Sequence, residues 1–154
     1  MAGIVVRIEP GGFDAAVETT RLRALPGVGA IVTFTGLCRD EGGRLAALEI
    51  EHYPGMAEAE MRRIAEEAAA RWPVAGMTII HRYGTIAVGD DIVLVAAASE
   101  HREAAFAAAG YVMDFLKTSA PFWKREIAVD GSAGEWVGAR ESDDEAAGQW
   151  TPKA

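Results

Sequence analysis

The sequence of 154 residues predicts an α+β fold in a single domain, residues 1–154, and three observations support this prediction. Short segments rich in β-branched and apolar residues predict several strands. Between them, hydrophobic residues three or four positions apart predict amphipathic helices. The strands and helices do not alternate strictly, so a repeated β-α-β arrangement is not indicated. A short tail is expected after about residue 142.

In the first third of the chain, each predicted element ends near a glycine or a proline, the residues that most often interrupt regular structure. Pro26 closes the helix, Gly36 ends the second strand and Pro54 breaks the third. The predicted elements are strands at residues 4–8, 30–35 and 45–53, and a helix at residues 13–25.

The middle of the chain predicts one helix and two strands. The helix ends at Pro73, and its buried face is formed by Met61, Ile64, Ala65, Ala68 and Trp72. The strands lie at residues 77–83 and 91–98, with a turn around Gly89 and Asp90 between them.

The last part of the chain predicts a helix followed by two short strands. Ser99 is the predicted N-cap, because serine side chains accept hydrogen bonds from the first helical amides. The helix is expected to end between Lys117 and Pro121, since proline cannot continue the hydrogen-bond ladder. Short strands at residues 126–129 and 135–139 are predicted to close the fold.

Composition and charge exclude several classes of protein. A net charge of −8 and an isoelectric point near 4.9 argue against nucleic-acid binding, which usually requires a basic face. No apolar run approaches the roughly 20 residues that span a bilayer. The N-terminus lacks the pattern of a secretory leader, so a cytoplasmic protein without a membrane segment is expected. The single cysteine, Cys38, excludes an internal disulfide and a multi-cysteine zinc site.

Three groups of cationic residues stand out because they lie at the ends of predicted elements, where a scaffold commonly presents binding residues. Among the 15 basic residues, only residues 117, 124 and 153 are lysines. Lysine, unlike arginine, can lose its proton or act as a nucleophile. The alternative, that these side chains are ordinary solvated charges, stays open at this point. The groups are Arg39, His101 with Arg102, and Lys117 with Lys124 and Arg125.

The segment at residues 116–126, Leu-Lys-Thr-Ser-Ala-Pro-Phe-Trp-Lys-Arg-Glu, resembles the signature of the large, catalytic subunit family of molybdopterin synthase. Further motifs in the same order extend the resemblance from about residue 29 to residue 150. They include Thr-Phe-Thr-Gly at residues 33–36, Glu-His-Tyr-Pro-Gly-Met at residues 51–56, and Ser99 with His101 and Arg102. A chance match of so many ordered motifs is very improbable.

The resemblance implies a sulfurtransferase subunit with a hammerhead-like mixed or antiparallel sheet and packed helices. Such a subunit converts cyclic pyranopterin monophosphate into molybdopterin. Two sulfur atoms come from the C-terminal Gly-Gly thiocarboxylate of a small ubiquitin-like subunit. The expected assembly is a homodimer within a heterotetramer. The resemblance implies neither a metal nor a cofactor, because molybdenum is bound at a later stage.

The resemblance also assigns roles to individual positions. Lys117 and Lys124 match the family's catalytic lysines. Phe34 and Met113 match residues that line the pocket. Substrate binding is implied for both lysines and for Leu37, Cys38, Arg39, His101, Arg102, Arg125, Glu126 and Arg140.

The implied chemistry agrees with these residue types. A thiocarboxylate and a phosphate are both anions, so a poorly hydrated cleft can bring them together only with fixed positive charge. Lys117 is predicted to act mainly as an electrostatic and proton-donating group, with covalent participation second. The reason is that making an ordinary lysine neutral at pH 7 costs roughly 4.6 kcal/mol.

The spacing of the cations predicts a shared site. Arg102 lies 15 positions before Lys117 in the sequence. On one continuous helix this spacing corresponds to about 22 Å, too far for both to hold one small ligand. A homodimer in which His101 and Arg102 of one copy complete the lysine pocket of the other would resolve the distance.

Two other functions compete with this prediction. A binding module could dock the ubiquitin-like tail or the pterin without turnover, although docking alone does not require both lysines. A cysteine-dependent sulfurtransferase could carry sulfur as a persulfide on Cys38, whose pKa a neighbouring Arg39 could lower. His52 and His81 lie in predicted strands and are interpreted as hydrogen-bonded structural residues.

Overall fold

The computed structural model describes residues 2–119, 121–138 and 147–150, and within these ranges the chain forms seven strands and three helices. The strands are β1 (Gly3–Glu9), β2 (Ala30–Leu37), β3 (Leu45–His52), β4 (Val74–Arg82), β5 (Gly84–Ala87), β6 (Asp91–Ser99) and β7 (Phe122–Ala128). The helices are α1 (Ala15–Arg23), α2 (Met56–Arg71) and α3 (Arg102–Thr118). None of these helices is long and apolar enough to cross a membrane.

The strands form two sheets. The larger sheet has the order β1-β4-β6-β2, in which β1 and β4 are parallel and the other neighbours are antiparallel. The smaller sheet has the order β5-β3-β7 and is antiparallel. These mixed and antiparallel sheets with packed helices confirm the predicted α+β class.

The central strands of the larger sheet are buried on both faces, because helices cover each face. Within β6, Val95 and Ala97 belong to the core formed with α2 and α3. Ala96 and Ala98 belong to a separate cluster with Leu22 of α1. Burial on both sides explains why β6 is a continuous apolar run and not an alternating one.

Ile92 and Phe122 connect the two sheets, since each packs against the core of the larger sheet and also against that of the smaller one. The core of the smaller sheet consists of Cys38, Leu45, Ile50 and Ile86. The junction therefore places the start of β7 beside one end of the central strands of the larger sheet, where Phe122 stacks on His81 of β4.

The last described segment, residues 147–150, lies against the α2 and α3 surface. The indole Nε1 of Trp150 donates a hydrogen bond to Oδ2 of Asp114 at 2.6 Å. Its ring packs edge-on against Trp72 and Tyr111, with ring centroids 5.4 and 5.6 Å apart. These contacts anchor the segment on the side of α3 that carries Asp114.

The prediction that Gly36 ends the second strand is wrong. β2 continues to Leu37, with irregular pairing against β6 between residues 36 and 37. A Cβ atom at Gly36 would lie 2.8 Å from Cγ1 of Val93, so glycine is needed here for close packing and not for a turn. Leu37 therefore stays in the strand.

The prediction that Ser99 caps the last helix is also wrong. α3 begins at Arg102, and His101 occupies the N-cap position without a side-chain capping hydrogen bond. Ser99 is the buried last residue of β6, and its hydroxyl donates a hydrogen bond to the backbone carbonyl of His101. The serine thus fixes the loop before the helix without capping it.

The strands near the end of the chain differ from the prediction. β7 begins at Phe122, directly after Pro121, and not at residue 126. The four-residue β5 was not predicted, because such a short segment carries no clear period. Instead of the strand predicted at residues 135–139, the described residues up to 138 form isolated bridges, Val137 with Lys124 and Ala133 with Ile127. Residue 139 lies outside the described residues.

Candidate active site

A cleft with a cavity of about 130 Å³ opens where the C-terminal end of α3 meets β2, β4 and β7. Lys117 and Lys124 line this space together with His81. Much of the remaining wall is apolar and includes Phe34, Leu37, Ile92, Met113, Phe122 and Val137.

Lys117 and Lys124 reach the cleft from different elements. Lys117 lies in the last turn of α3, where the negative end of the helix dipole stabilises a cation. The chain then changes to β7, where Lys124 pairs with Ile50 of β3. The backbone amide and carbonyl of Lys124 also bond to Val137, at 3.0 and 2.8 Å. A helix end and a strand start therefore supply both lysines to one cleft.

Arg39 lies at the rim of the cleft, in a wider depression that both lysines also line. Its side chain is 83% exposed, and its Nη2 lies 3.8 Å from the Glu41 carboxylate. An exposed ion pair at this distance contributes little stability. Arg39 can therefore exchange this partner for an anionic ligand at small cost.

Arg125 and Glu126 line the same depression as Arg39. The guanidinium of Arg125 lies 2.9 Å from Oε2 of Glu49 and packs over the ring of Trp136, with Cζ 4.6 Å from the centroid. Arg125 is thus already engaged on both sides. Its contacts brace the rim of the cleft, whereas Arg39 is available to a ligand.

His81 is a residue of the cleft that sequence reasoning interpreted only as structural. Its Nδ1 lies 2.7 Å from the carbonyl of Arg82, which agrees with the predicted hydrogen bond. Its ring also stacks on Phe122 at 3.9 Å and lines the cleft. Burial lowers the pKa of His81 to about 4, with smaller contributions from the charges of Lys117 and Lys124. The sequence feature that could have indicated a place in the cleft is the position of His81 at the end of an apolar strand.

Cys38 does not belong to the cleft wall, although the resemblance implied a place in the pocket. The residue is 1% exposed and lies in the core of the smaller sheet. Burial raises the pKa of its thiol, with further increases from Asp90 and Asp40. The idea that neighbouring Arg39 lowers this pKa is therefore wrong, because the two adjacent side chains occupy opposite environments.

His101 and Arg102 are not brought to this cleft within one chain. They lie at the start of α3, and Arg102 is 15 positions before Lys117 on this helix, a distance of about 22 Å along the helix axis. The side chain of His101 is 83% exposed, with Nε2 3.5 Å from the Glu100 carboxylate. Arg140 lies outside the described residues.

The cleft combines cations, a neutral imidazole and an apolar wall. Within the described ranges, no three His, Cys, Asp or Glu side chains are grouped to hold a metal ion. An apolar wall limits the access of water, so the two ammonium groups act strongly on any bound anion. The fold and the cleft together define an α+β protein with a cationic, partly apolar cleft of the kind in which enzymes bind small ligands.

The chain belongs to the MoaE protein family, whose model matches residues 9–119. The molybdopterin synthase catalytic subunit of Brucella melitensis is 58% identical over 146 residues, 94% of this chain and 90% of that protein. The family resemblance that the motifs indicated is confirmed.

Solved structures agree with this assignment. The molybdopterin cofactor biosynthesis protein E from Burkholderia multivorans is 43% identical, with a TM-score of 0.84 and 99% of each chain covered. The molybdopterin synthase structure from Staphylococcus aureus is 33% identical, with a TM-score of 0.74, 89% of this chain covered and 96% of the other. The predicted fold is therefore shared with known members of the family.

Proposed function

We propose that the chain is the catalytic subunit of a molybdopterin synthase and transfers two sulfur atoms to cyclic pyranopterin monophosphate. The observation that carries this proposal is the meeting of Lys117 and Lys124 in one cleft. They do so in a protein whose net charge is −8, so the local positive charge requires a reason. Relatives named as catalytic subunits of this enzyme support the proposal.

The proposed catalytic residues are Lys117 and Lys124. In each round, a bond forms between sulfur and a pterin carbon while a bond between that carbon and oxygen breaks, and the leaving oxygen takes up a proton. The bond between sulfur and the partner's terminal carbonyl then breaks. Water supplies the oxygen that restores the partner's carboxylate. The two ammonium groups stabilise the negative charge of both reactants, and Lys117 donates a proton. Arg39 at the rim binds phosphate oxygens.

The proposed sulfur donor is a small ubiquitin-like subunit whose C-terminus ends in a Gly-Gly thiocarboxylate. Three apolar side chains that line the cleft are also exposed: Phe34 at 42%, Leu37 at 54% and Val137 at 48%. Exposed apolar residues around a cleft are typical of a protein contact surface. Glycines have no side chains, so a Gly-Gly tail can extend between these residues to the lysines.

We also propose that two copies of the chain share each site. His101 and Arg102 lie about 22 Å from Lys117 along α3, yet they match substrate-binding positions of the family. A second copy can bring its own His101 and Arg102 to the lysine cleft. The expected assembly is a homodimer with one small subunit at each site.

The chain is proposed to act as a single domain in the cytoplasm. Ile92 and Phe122 join the cores of the two sheets, which supports one folding unit. The buried, unpaired thiol of Cys38 agrees with a reducing compartment.

A turnover experiment tests the proposed activity. The purified chain is mixed with a thiocarboxylated small partner and cyclic pyranopterin monophosphate. The expected result is a dithiolene product, with two thiocarboxylates consumed per pterin. Mass spectrometry of the partner's C-terminus measures how much thiocarboxylate is consumed. Tight binding of both reactants without product would favour the alternative, a module that binds the ubiquitin-like tail or the pterin without catalysis.

A Cys38→Ser variant separates this proposal from cysteine-dependent sulfur transfer. Because Cys38 lies in the core and outside the cleft wall, the variant is expected to keep product formation within about twofold once folded, with about 1 kcal/mol less stability from the buried hydroxyl. A folded Cys38→Ser protein without activity would instead assign the sulfur to a persulfide on Cys38.

A further inference from the structure

The imidazole of His81 is held in one orientation by two contacts. Its Nδ1 lies 2.7 Å from the backbone carbonyl of Arg82. A carbonyl oxygen can only accept a hydrogen bond, so Nδ1 carries the proton. The ring also stacks on Phe122, with centroids 3.9 Å apart and planes inclined by 15°. In a neutral ring held this way, Nε2 carries the free lone pair.

The surroundings of His81 keep the ring neutral. Lys117 approaches from α3, Lys124 from β7 and His52 from β3, and each of them disfavours a positive charge on the ring. Burial is the largest effect, and together they lower the pKa of His81 to about 4. By surface area the residue is nevertheless only partly buried, and it lines the cleft. His81 is therefore an uncharged hydrogen-bond acceptor beside two ammonium groups.

We propose that His81 is a positioning residue, whose Nε2 accepts a hydrogen bond from the ammonium of Lys117 or Lys124 and so orients that ammonium toward the bound anion. A carboxylate in this place would also orient a lysine, but it would cancel the lysine's charge and repel an anionic substrate. A neutral imidazole orients the ammonium and leaves its charge intact. This inference rests on the proposed function and adds a role for a residue outside the lysine pair.

Substitutions at residue 81 separate the two hydrogen bonds of the ring. In His81→Asn, the amide nitrogen can still donate to the Arg82 carbonyl, but no acceptor remains at the position of Nε2. His81→Gln places an amide oxygen closer to that position. His81→Asp supplies a charged group in place of a neutral one. His52→Asn is the matched control, because His52 lies 6.2 Å from the same Phe122 ring and is absent from the described residues that line the cleft.

Steady-state kinetics with thiocarboxylated partner and cyclic pterin give the main test. His81→Asn is expected to lower kcat about tenfold and to change KM for the pterin by less than about twofold, since a hydrogen bond to a charged group is lost while the charge remains. His81→Gln is expected to recover part of kcat. His81→Asp is expected to raise KM, because its carboxylate competes with the substrate anion. His52→Asn is expected to keep wild-type kinetics.

Two kinetic outcomes would overturn the proposal. One is a His81→Asn protein with kcat within about twofold of the wild type. The other is an equal loss of activity in His81→Asn and His52→Asn that follows their melting temperatures, since this pattern would mean packing around Phe122 alone. If the wild-type protein itself forms no product, the proposed function fails, and the state of His81 must be decided by a measurement independent of turnover.

Nitrogen-15 NMR of the imidazole provides that independent measurement. The expected spectrum shows the Nδ1–H tautomer of a neutral ring at pH 7, with protonation only near pH 4. In the Lys117→Ala and Lys124→Ala proteins, one of the two substitutions is expected to shift the Nε2 resonance by removing its donor. An imidazolium at pH 7, the Nε2–H tautomer, or an Nε2 resonance unaffected by both substitutions would overturn the positioning role.

Discussion

The two ends of α3 both carry positive charge but differ in their surroundings. At the C-terminal end, Lys117 lines a partly apolar cleft with Lys124 and the neutral ring of His81. At the N-terminal end, Arg102 follows His101, which is 83% exposed and makes no side-chain capping hydrogen bond. The C-terminal end is thus part of a formed cleft, whereas Arg102 at the N-terminal end lies outside that cleft.

The helix dipole makes this difference informative. A cation at the C-terminal end of a helix is stabilised by the dipole, so Lys117 has a structural reason for its position. A cation at the N-terminal end is disfavoured by the same dipole, so the stability of α3 does not explain Arg102. A bound anion would explain it. This contrast supports a site in which the N-terminal end of one copy meets the C-terminal end of another.

The largest effect is expected at the C-terminal end of α3. Lys117→Ala is expected to lower kcat by about 10²–10³, because a preorganised charge that stabilises the reacting anions is removed. Single-turnover measurement of dithiolene formation checks this, with Lys153→Ala as a lysine control from the tail of the sequence. If both variants retained wild-type rates, the cleft would not be the site of sulfur transfer.

A stability effect of intermediate size is expected from His81. The unfolded chain takes up a proton near the ordinary pKa of 6.5, whereas the folded chain does so only near 4. Protonation therefore favours unfolding. The stabilising contribution is complete above about pH 6.5 and is lost as the pH falls toward 4. The loss is about 3 kcal/mol at most.

Denaturant unfolding of the wild type and of His81→Asn between pH 4 and pH 7 checks this expectation. The difference in unfolding free energy between the two proteins should narrow as the pH falls, because only the wild type has the buried imidazole. A difference that stays constant over this range would mean that His81 titrates normally in the folded protein.

A smaller effect is expected at the N-terminal end of α3. Arg102→Ala is expected to raise KM for the pterin by about 10-fold to 100-fold, as a charge-assisted hydrogen bond to the substrate is lost. The same variant is expected to gain about 0.3–1 kcal/mol of stability, because an unfavourable cation is removed from the helix start. Weaker binding of the pterin together with higher stability would indicate a binding role for Arg102 and not a structural one. An unchanged KM would mean that Arg102 is not part of the site.

Local patterns predicted most of the fold, since they depend on neighbouring residues. The strand predicted at residues 91–98 is observed as Asp91–Ser99, and α3 ends at Thr118, before Pro121, as expected. The errors arose where distant residues decide the structure. Gly36 stays in β2 because it pairs with Val93 of β6, a contact that no local pattern reveals.

The site was predicted partly, and for different reasons at different residues. The family resemblance, now confirmed, singled out Lys117 and Lys124, and the fold places both in one cleft. Their catalytic roles stay predictions. His81 reaches the cleft only because β4, β7 and α3 meet there, so sequence alone could not place it. Cys38 and Arg39 are adjacent in sequence, but only the three-dimensional structure shows that one is buried and the other exposed.

The shared site is tested most directly by mixing two impaired proteins at a pterin concentration below the KM of the Arg102→Ala protein. Lys117→Ala and Arg102→Ala homodimers are allowed to exchange subunits, and native mass spectrometry measures the mixed dimers. Half of the dimers should be mixed, and each mixed dimer should contain one intact site, so activity should return to about a quarter of the wild-type value. Mixed dimers that form fully but show no activity would contradict a site built from the two opposite ends of α3.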